Sequence, residues 1–154
     1  MRLLFLGGTR FVGAHMVEFA LDRGHEVTTF TRGKTNPDLF EEVVSLQGDR
    51  DEGDYEALED GEWDAVIDTS AYFPRAVHQA LDALDGSFDH YTLISTTSVY
   101  RDFDGPRVDE RYPLESTEGI AGNDANEAYG PLKVMCEQAI EERLGADALI
   151  VRPG

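Results

Sequence analysis

Cysteine, lysine and long apolar runs are all scarce in this chain, and each scarcity excludes a class of protein. The single cysteine, Cys136, rules out an internal disulfide and any cysteine-rich metal site. Its place in a helical stretch predicts a buried structural thiol. His15, His25, His78 and His90 have no metal-ligand spacing with acidic or cysteine partners, so they are read as structural or surface residues and no metal is expected. No Gly-x-Ser-x-Gly elbow is present, which removes one large class of hydrolases. Arg2 and two early glycines interrupt the apolar start, so no signal peptide or membrane span is predicted and a cytoplasmic protein is expected.

Lys34 and Lys133 are the only lysines, and 13 basic residues face 31 acidic ones, for a net charge of −18. The acids are spread along the whole chain, with apolar periodicity between them. That pattern predicts a folded domain with an acidic surface. Such self-repulsion is tolerated where salt screens it, as in halophiles, and a salt-adapted protein is expected. The same charge repels phosphate backbones and argues against a nucleic-acid partner.

What is present is organised around Gly7-Gly8-Thr9-Arg10-Phe11-Val12-Gly13. Residues 3–6 before it form a short apolar run, as in a strand buried on both faces of a parallel sheet. After it, Val12, Met16, Phe19 and Ala20 recur at helical spacing, Gly24 stops the helix, and residues 26–31 read as a second strand. Strand, glycine turn and helix place backbone N–H groups and a helix N-terminus where a pyrophosphate can approach. The alternative is a glycine turn with only a structural role.

Further strands are predicted at 43–46, 64–69, 90–96 and 148–151. Trp63 is expected to pack at the entrance of the fourth. One helix opens at Pro74, and another begins near 126–128, because Pro131 fits only the first turn. Residues 101–125 form a long acidic loop of the kind that is functional or mobile. Alternating strands and helices over 154 residues predict one α/β domain, a doubly wound Rossmann-type sheet of order 3-2-1-4-5-6.

Tyr129-Gly130-Pro131-Leu132-Lys133 puts a phenol and an ammonium four residues apart on one helical face. A lysine beside a tyrosine favours the phenolate, lowers its pKa and makes a general acid/base near neutral pH. Alone, the pair would be an ordinary helix surface. Here it follows a strand that ends in Ser95-Thr96-Thr97-Ser98-Val99-Tyr100, and strand carboxyl ends are where open α/β sheets bind ligands.

With these motifs and the closing Val151-Arg152-Pro153-Gly154, the chain resembles the short-chain dehydrogenase/reductase superfamily. The resemblance covers essentially the whole chain and falls in the extended or atypical branch of NAD(P)-dependent epimerases, dehydratases and reductases. It implies Tyr129 as acid/base, and Lys133 as the group that lowers its pKa and holds the nicotinamide ribose. Thr96 matches the Ser/Thr position, with Thr97 as the fallback. Gly7 to Gly13 would hold the cofactor, Asp49 would contact adenine, and Ser70-Ala71 would lie along the cofactor. It also implies a homodimer through the helices from Pro74 and from 126, and a C-terminal substrate domain that this chain lacks.

Three departures from the family pattern refine the expectation. Arg10 replaces the middle glycine. The acidic residue expected about 20 residues on, for the ribose 2′-hydroxyl, is absent, and the second strand ends in Thr31-Arg32. Arg10 and Arg32 could together hold a 2′-phosphate, which favours NADP(H) over NAD(H). No Asp-Glu pair follows Thr96, which disfavours dehydration. The expectation is an oxidoreductase or epimerase acting on a carbinol or carbonyl of a small molecule, with a sugar nucleotide as a family-level guess. Alternatives are a non-catalytic dinucleotide sensor, against which Tyr129 and Lys133 argue, and an RNA-binding relative, against which the charge argues.

Overall fold

Apolar side chains on both faces of one strand set the architecture. Strand β1 (Arg2–Leu6) turns Leu3 and Phe5 to one side, against Val17 and Ala20 of helix α1 (Phe11–Asp22). Leu4 and Leu6 turn to the other side, in a larger core with Val77 and Leu81 of α2 (Pro74–Leu84) and Ile140 of α3 (Tyr129–Leu144). Each fully buried leucine contributes about 1.5–3 kcal/mol. The computed structural model describes residues 1–84, 86–102, 108–122 and 129–154.

The remaining strands are β2 (Glu26–Thr31), β3 (Val44–Gln47), β4 (Trp63–Asp68), β5 (Phe88–Ile94) and β6 (Ala148–Val151). All neighbours pair in parallel, in the order 3-2-1-4-5-6 that the sequence predicts. This doubly wound Rossmann topology places the loops after β1, β2, β3 and β4 along one edge, with the order reversing between β1 and β4.

Several local expectations shift. Of the apolar residues at helical spacing in α1, Phe19 is exposed, its ring covered by the Arg23 guanidinium 3.5 Å from the centroid, while Val17 and Ala20 lie in the core. β3 lies one residue later than predicted. Trp63 is itself the first residue of β4, buried and paired with Phe88. β5 starts and stops two residues early, because Thr96 leaves the strand to cap the 3₁₀ turn Thr97–Val99, accepting from the Ser98 N–H at 3.1 Å. Pro131 stands in the first turn of α3, while the predicted start at 126–128 lies outside the described residues. In the long loop, the Glu115 N–H donates to Val99 O at 2.8 Å, and Leu114 bridges Tyr100.

Candidate cofactor and active site

At the strand carboxyl ends lies a cavity of about 220 Å³. The turn after β1 forms one wall with Gly7, Gly8, Thr9 and Arg10. Gly7 and Gly8 both have φ near +104°, a region that penalises any side chain. Gly13 fails for a different reason: a Cβ there would lie 3.0 Å from Gly8 Cα, so its lack of a side chain lets α1 sit directly against the turn. Phe11, Val12 and Gly13 do not line the cavity. Val12 and Gly13 open α1 behind it, and Phe11 projects into solvent, 84% exposed with φ +39°.

Helix α1 begins without a side-chain cap and without an acidic residue in its first turn. Its N-terminus therefore keeps the partial positive charge and the unsatisfied N–H groups that suit an anion. The rest of the lining adds Arg32 and Lys34 from the loop after β2, and Asp49, Arg50 and Asp51 from the loop after β3. With Arg50 committed to the buried Asp68, three cations face two carboxylates, a local excess of positive charge in a chain of net charge −18. Arg10 has no ion pair among the described residues, so its guanidinium stands ready for a ligand. These features fit a dinucleotide.

The floor is a buried network that none of the sequence motifs marks. Asp68, fully buried at the end of β4, accepts from Arg50 Nη1 at 2.7 Å and Nη2 at 2.9 Å. It also accepts from the Tyr91 hydroxyl at 2.8 Å and the Ser70 N–H at 2.9 Å. Burial alone would raise the Asp68 pKa, but the charge and hydrogen bonds of Arg50 outweigh it and hold the carboxyl below its ordinary value. Burial, reinforced by Asp68, pushes Tyr91 well up. Arg50 Nη1 also reaches Ser70 Oγ at 2.9 Å, and that hydroxyl donates to Leu6 O at 3.0 Å. Arg50 therefore ties the glycine turn to the loop after β4. A sequence signal existed: a carboxylate closing the apolar run Ala65-Val66-Ile67 needs a buried partner.

Ser70 lines the cavity, but Ala71 is buried behind it, and its carbonyl accepts from Lys133 Nζ at 2.8 Å. Lys133 Nζ also donates to Ile94 O at 3.0 Å, and burial lowers the ammonium's pKa. Tyr129 is half-exposed, with its ring 6.4 Å from that of Tyr72, a cavity-lining residue. Tyr72 is thus the link between the cavity and α3.

The lowering of the Tyr129 pKa by Lys133 is not found in this structure. Partial burial and the neighbouring Tyr72 raise it, and Lys133 spends two of its donors on backbone carbonyls. Thr96 Oγ1 is engaged locally, donating to Ser98 Oγ at 3.2 Å. A second buried cluster braces this side. Arg152 donates to both carboxylate oxygens of Glu137, at 3.0 and 2.7 Å, and Ser95 Oγ donates to the same group at 2.5 Å. This locks α3 to the ends of β5 and β6. Cys136 is buried, and burial pushes its thiol up to about 12.

Among the described residues, no helix is long and apolar enough to cross a membrane, and no group of three or more His, Cys, Asp or Glu is placed to hold a metal ion. The exposed residues of α2 and α3 include Arg75, Asp82, Gln138, Glu141, Glu142 and Arg143.

A doubly wound sheet with a glycine turn, an uncapped helix and a cationic cavity at its switch point defines a Rossmann-type nucleotide-binding fold. Residues 3–85 match the family model described as "NAD dependent epimerase/dehydratase family", and the chain belongs to that family. It is similar to the chloroplast stem-loop binding protein of 41 kDa b of Arabidopsis thaliana, at 30% identity over 114 residues, covering 64% of this chain and 30% of that protein. Among solved structures it is similar to a UDP-glucose 4-epimerase, with a TM-score of 0.81 and 20% identity over 99% of this chain and 51% of the other. The UDP-glucose 4-epimerase of Bifidobacterium longum, solved with NAD⁺ and UDP, gives 0.78 and 19% over 99% and 52%. The chain thus spans about half the length of these epimerases.

Proposed function

We propose that this chain is the cofactor-binding part of an NAD(P)-dependent oxidoreductase or epimerase acting on a carbinol or carbonyl of a small molecule. The observation that carries the reading is the junction at Tyr72, which lines the cationic cavity and packs on Tyr129. Gly7, Gly8, Thr9 and Arg10 would hold the pyrophosphate side of the cofactor, with Phe11, Val12 and Gly13 as the start of the supporting helix. Asp49 and Ser70 would line its path, with Ala71 anchoring Lys133 behind it. Bound there, a nicotinamide would accept or return a hydride, the chemistry a protein side chain cannot supply.

The residues of the chain move the proton and orient the reactants. Tyr129 would protonate or deprotonate the substrate oxygen, and Thr96 would hold that oxygen once its bond to Ser98 is exchanged. Lys133, fixed by Ala71 O and Ile94 O, has one N–H left for a ribose hydroxyl. Burial holds the Tyr129 phenol above the ordinary tyrosine value, so without a ligand it rests protonated, as an ordinary tyrosine does near neutral pH. Substrate specificity, a UDP-sugar by analogy with the neighbours' names, is assigned in this reading to the part of the relatives that this chain does not span.

Arg10 and Arg32 in the cavity support NADP(H) over NAD(H). Calorimetric titration with NADP⁺ and NAD⁺ tests this: tighter NADP⁺ binding, lost in Arg10→Gln or Arg32→Gln, is expected. Equal or stronger NAD⁺ binding would keep the dinucleotide reading and discard the phosphate preference. Tyr129→Phe should abolish turnover and leave cofactor affinity nearly unchanged; undiminished turnover would sink the catalytic assignment. A nucleic-acid partner is not proposed, despite the stem-loop-binding relative, because the −18 charge opposes it.

A further inference from the structure

The mouth of the cavity is bridged by two ion pairs of the same polarity. Arg32 Nη1 lies 3.6 Å from Asp51 Oδ2, and Lys34 Nζ lies 3.5 Å from Asp49 Oδ2. Both cations belong to the loop after β2 and both carboxylates to the loop after β3. The pairs are longer than the 2.7–3.2 Å of a hydrogen-bonded contact, and the Arg32 and Asp51 side chains are 53% and 58% exposed. They are therefore weak and readily exchanged.

The two carboxylates are not equivalent. Asp49 is one-quarter exposed and also accepts the Asp51 N–H at 3.1 Å, which fixes it in place. The Asp51 carboxylate is held by Arg32 alone among the described residues. Between them Arg50 turns inward to Asp68 and is unavailable to either. Residues 49–51 thus present a fixed anion, a committed cation and a loosely held anion to the same opening.

We propose that Asp51 is a specificity-determining residue of this cavity: its carboxylate competes with a ligand's phosphomonoester for Arg32. The inference rests on the reading of the cavity as a site for a dinucleotide carrying a 2′-phosphate. A phosphomonoester of charge about −1.5 to −2 outcompetes a single carboxylate for a guanidinium, to which it can also bond in bidentate fashion. Once displaced, Asp51 faces that phosphate as a like charge and subtracts from its binding. A ligand without the phosphate leaves the pair intact and does not sense Asp51.

The test is a thermodynamic cycle read by calorimetric dissociation constants at one fixed salt concentration. Wild type, Asp51→Asn, Arg32→Gln and the double variant are each titrated with NADP⁺ and NAD⁺. Asp51→Asn is expected to tighten NADP⁺ by about two- to fivefold, the range of an exposed ion pair, and to leave NAD⁺ unchanged. The gain should shrink when Arg32 is already replaced, because the competition is gone and only the direct repulsion remains. A gain undiminished without Arg32, an equal gain for NAD⁺, or no gain would each overturn the proposal. The underlying reading fails separately, when wild type does not prefer NADP⁺ and Arg32→Gln leaves its affinity unmoved. A selective wild type with an indifferent Asp51→Asn variant sinks this inference alone.

Discussion

Arg50 grips the fully buried Asp68 carboxylate through two nitrogens, at 2.7 and 2.9 Å, across 18 residues of sequence. The pair sits under the cavity and joins the loops after β3 and β4. Ser70 and the Ala76 carbonyl take the remaining contacts of Arg50, at 2.9 and 3.1 Å. A bidentate guanidinium is the side chain that can satisfy a buried carboxylate while bonding two further oxygens.

Removing one partner should cost far more than the pair itself contributes. Arg50→Ala leaves an uncompensated buried charge and should destabilise the fold by about 3–5 kcal/mol, read by urea unfolding. Arg50→Lys keeps the charge but not the fork and should recover only part of that loss. A loss under about 1 kcal/mol for Arg50→Ala would show that Asp68 finds other solvation.

The same pair predicts a sign for the acid limb of stability. The Asp68 pKa is held below its ordinary carboxylate value, so the folded state binds fewer protons there than the unfolded chain. Its contribution is complete above the unfolded value, about 3.9, and is lost as pH falls through the lower folded value. Unfolding free energy measured from pH 6 down to pH 2 should fall less steeply in Asp68→Asn than in wild type. Parallel curves would refute the linkage.

Tyr129 titrates above an ordinary tyrosine in the chain alone, because of burial and then Tyr72. Phenolate absorbance of wild type minus that of Tyr129→Phe should therefore show a midpoint above 10. Tyr72→Leu should bring it down. A midpoint below 10 would restore the lysine-lowered phenolate that the Tyr-x-x-x-Lys spacing suggests.

Gly13→Ala would place a methyl 3.0 Å from Gly8 Cα, a backbone atom that cannot swing away. Helix α1 must then shift off the turn, at about 1–3 kcal/mol. Dinucleotide affinity should fall by at least tenfold in calorimetry while the circular dichroism spectrum stays native. Unchanged affinity would separate the turn from the ligand.

The order of the sheet, the glycine turn and the capping glycine at position 24 were legible along the chain, because strands and helices announce themselves by local apolar period and by residues that tolerate positive φ. The same local logic leaves Phe19 unplaced, since helical spacing cannot distinguish a core ring from one laid under an arginine. It also carried β5 through Thr96, where a side-chain cap competes with the strand.

By itself, the sequence determined that the chain winds a parallel sheet around a glycine turn, and which residue types stand at its carboxyl edge. Only the tertiary structure decided how those residues are paired. Asp68 meets Arg50, Glu137 meets Arg152, and Arg32 meets Asp51 through contacts between residues well separated along the chain. The sign of the Tyr129 shift likewise follows from which groups surround the phenol in space. Charge interactions fall off with distance and depend on burial, and both are properties of the folded chain rather than of spacing along it.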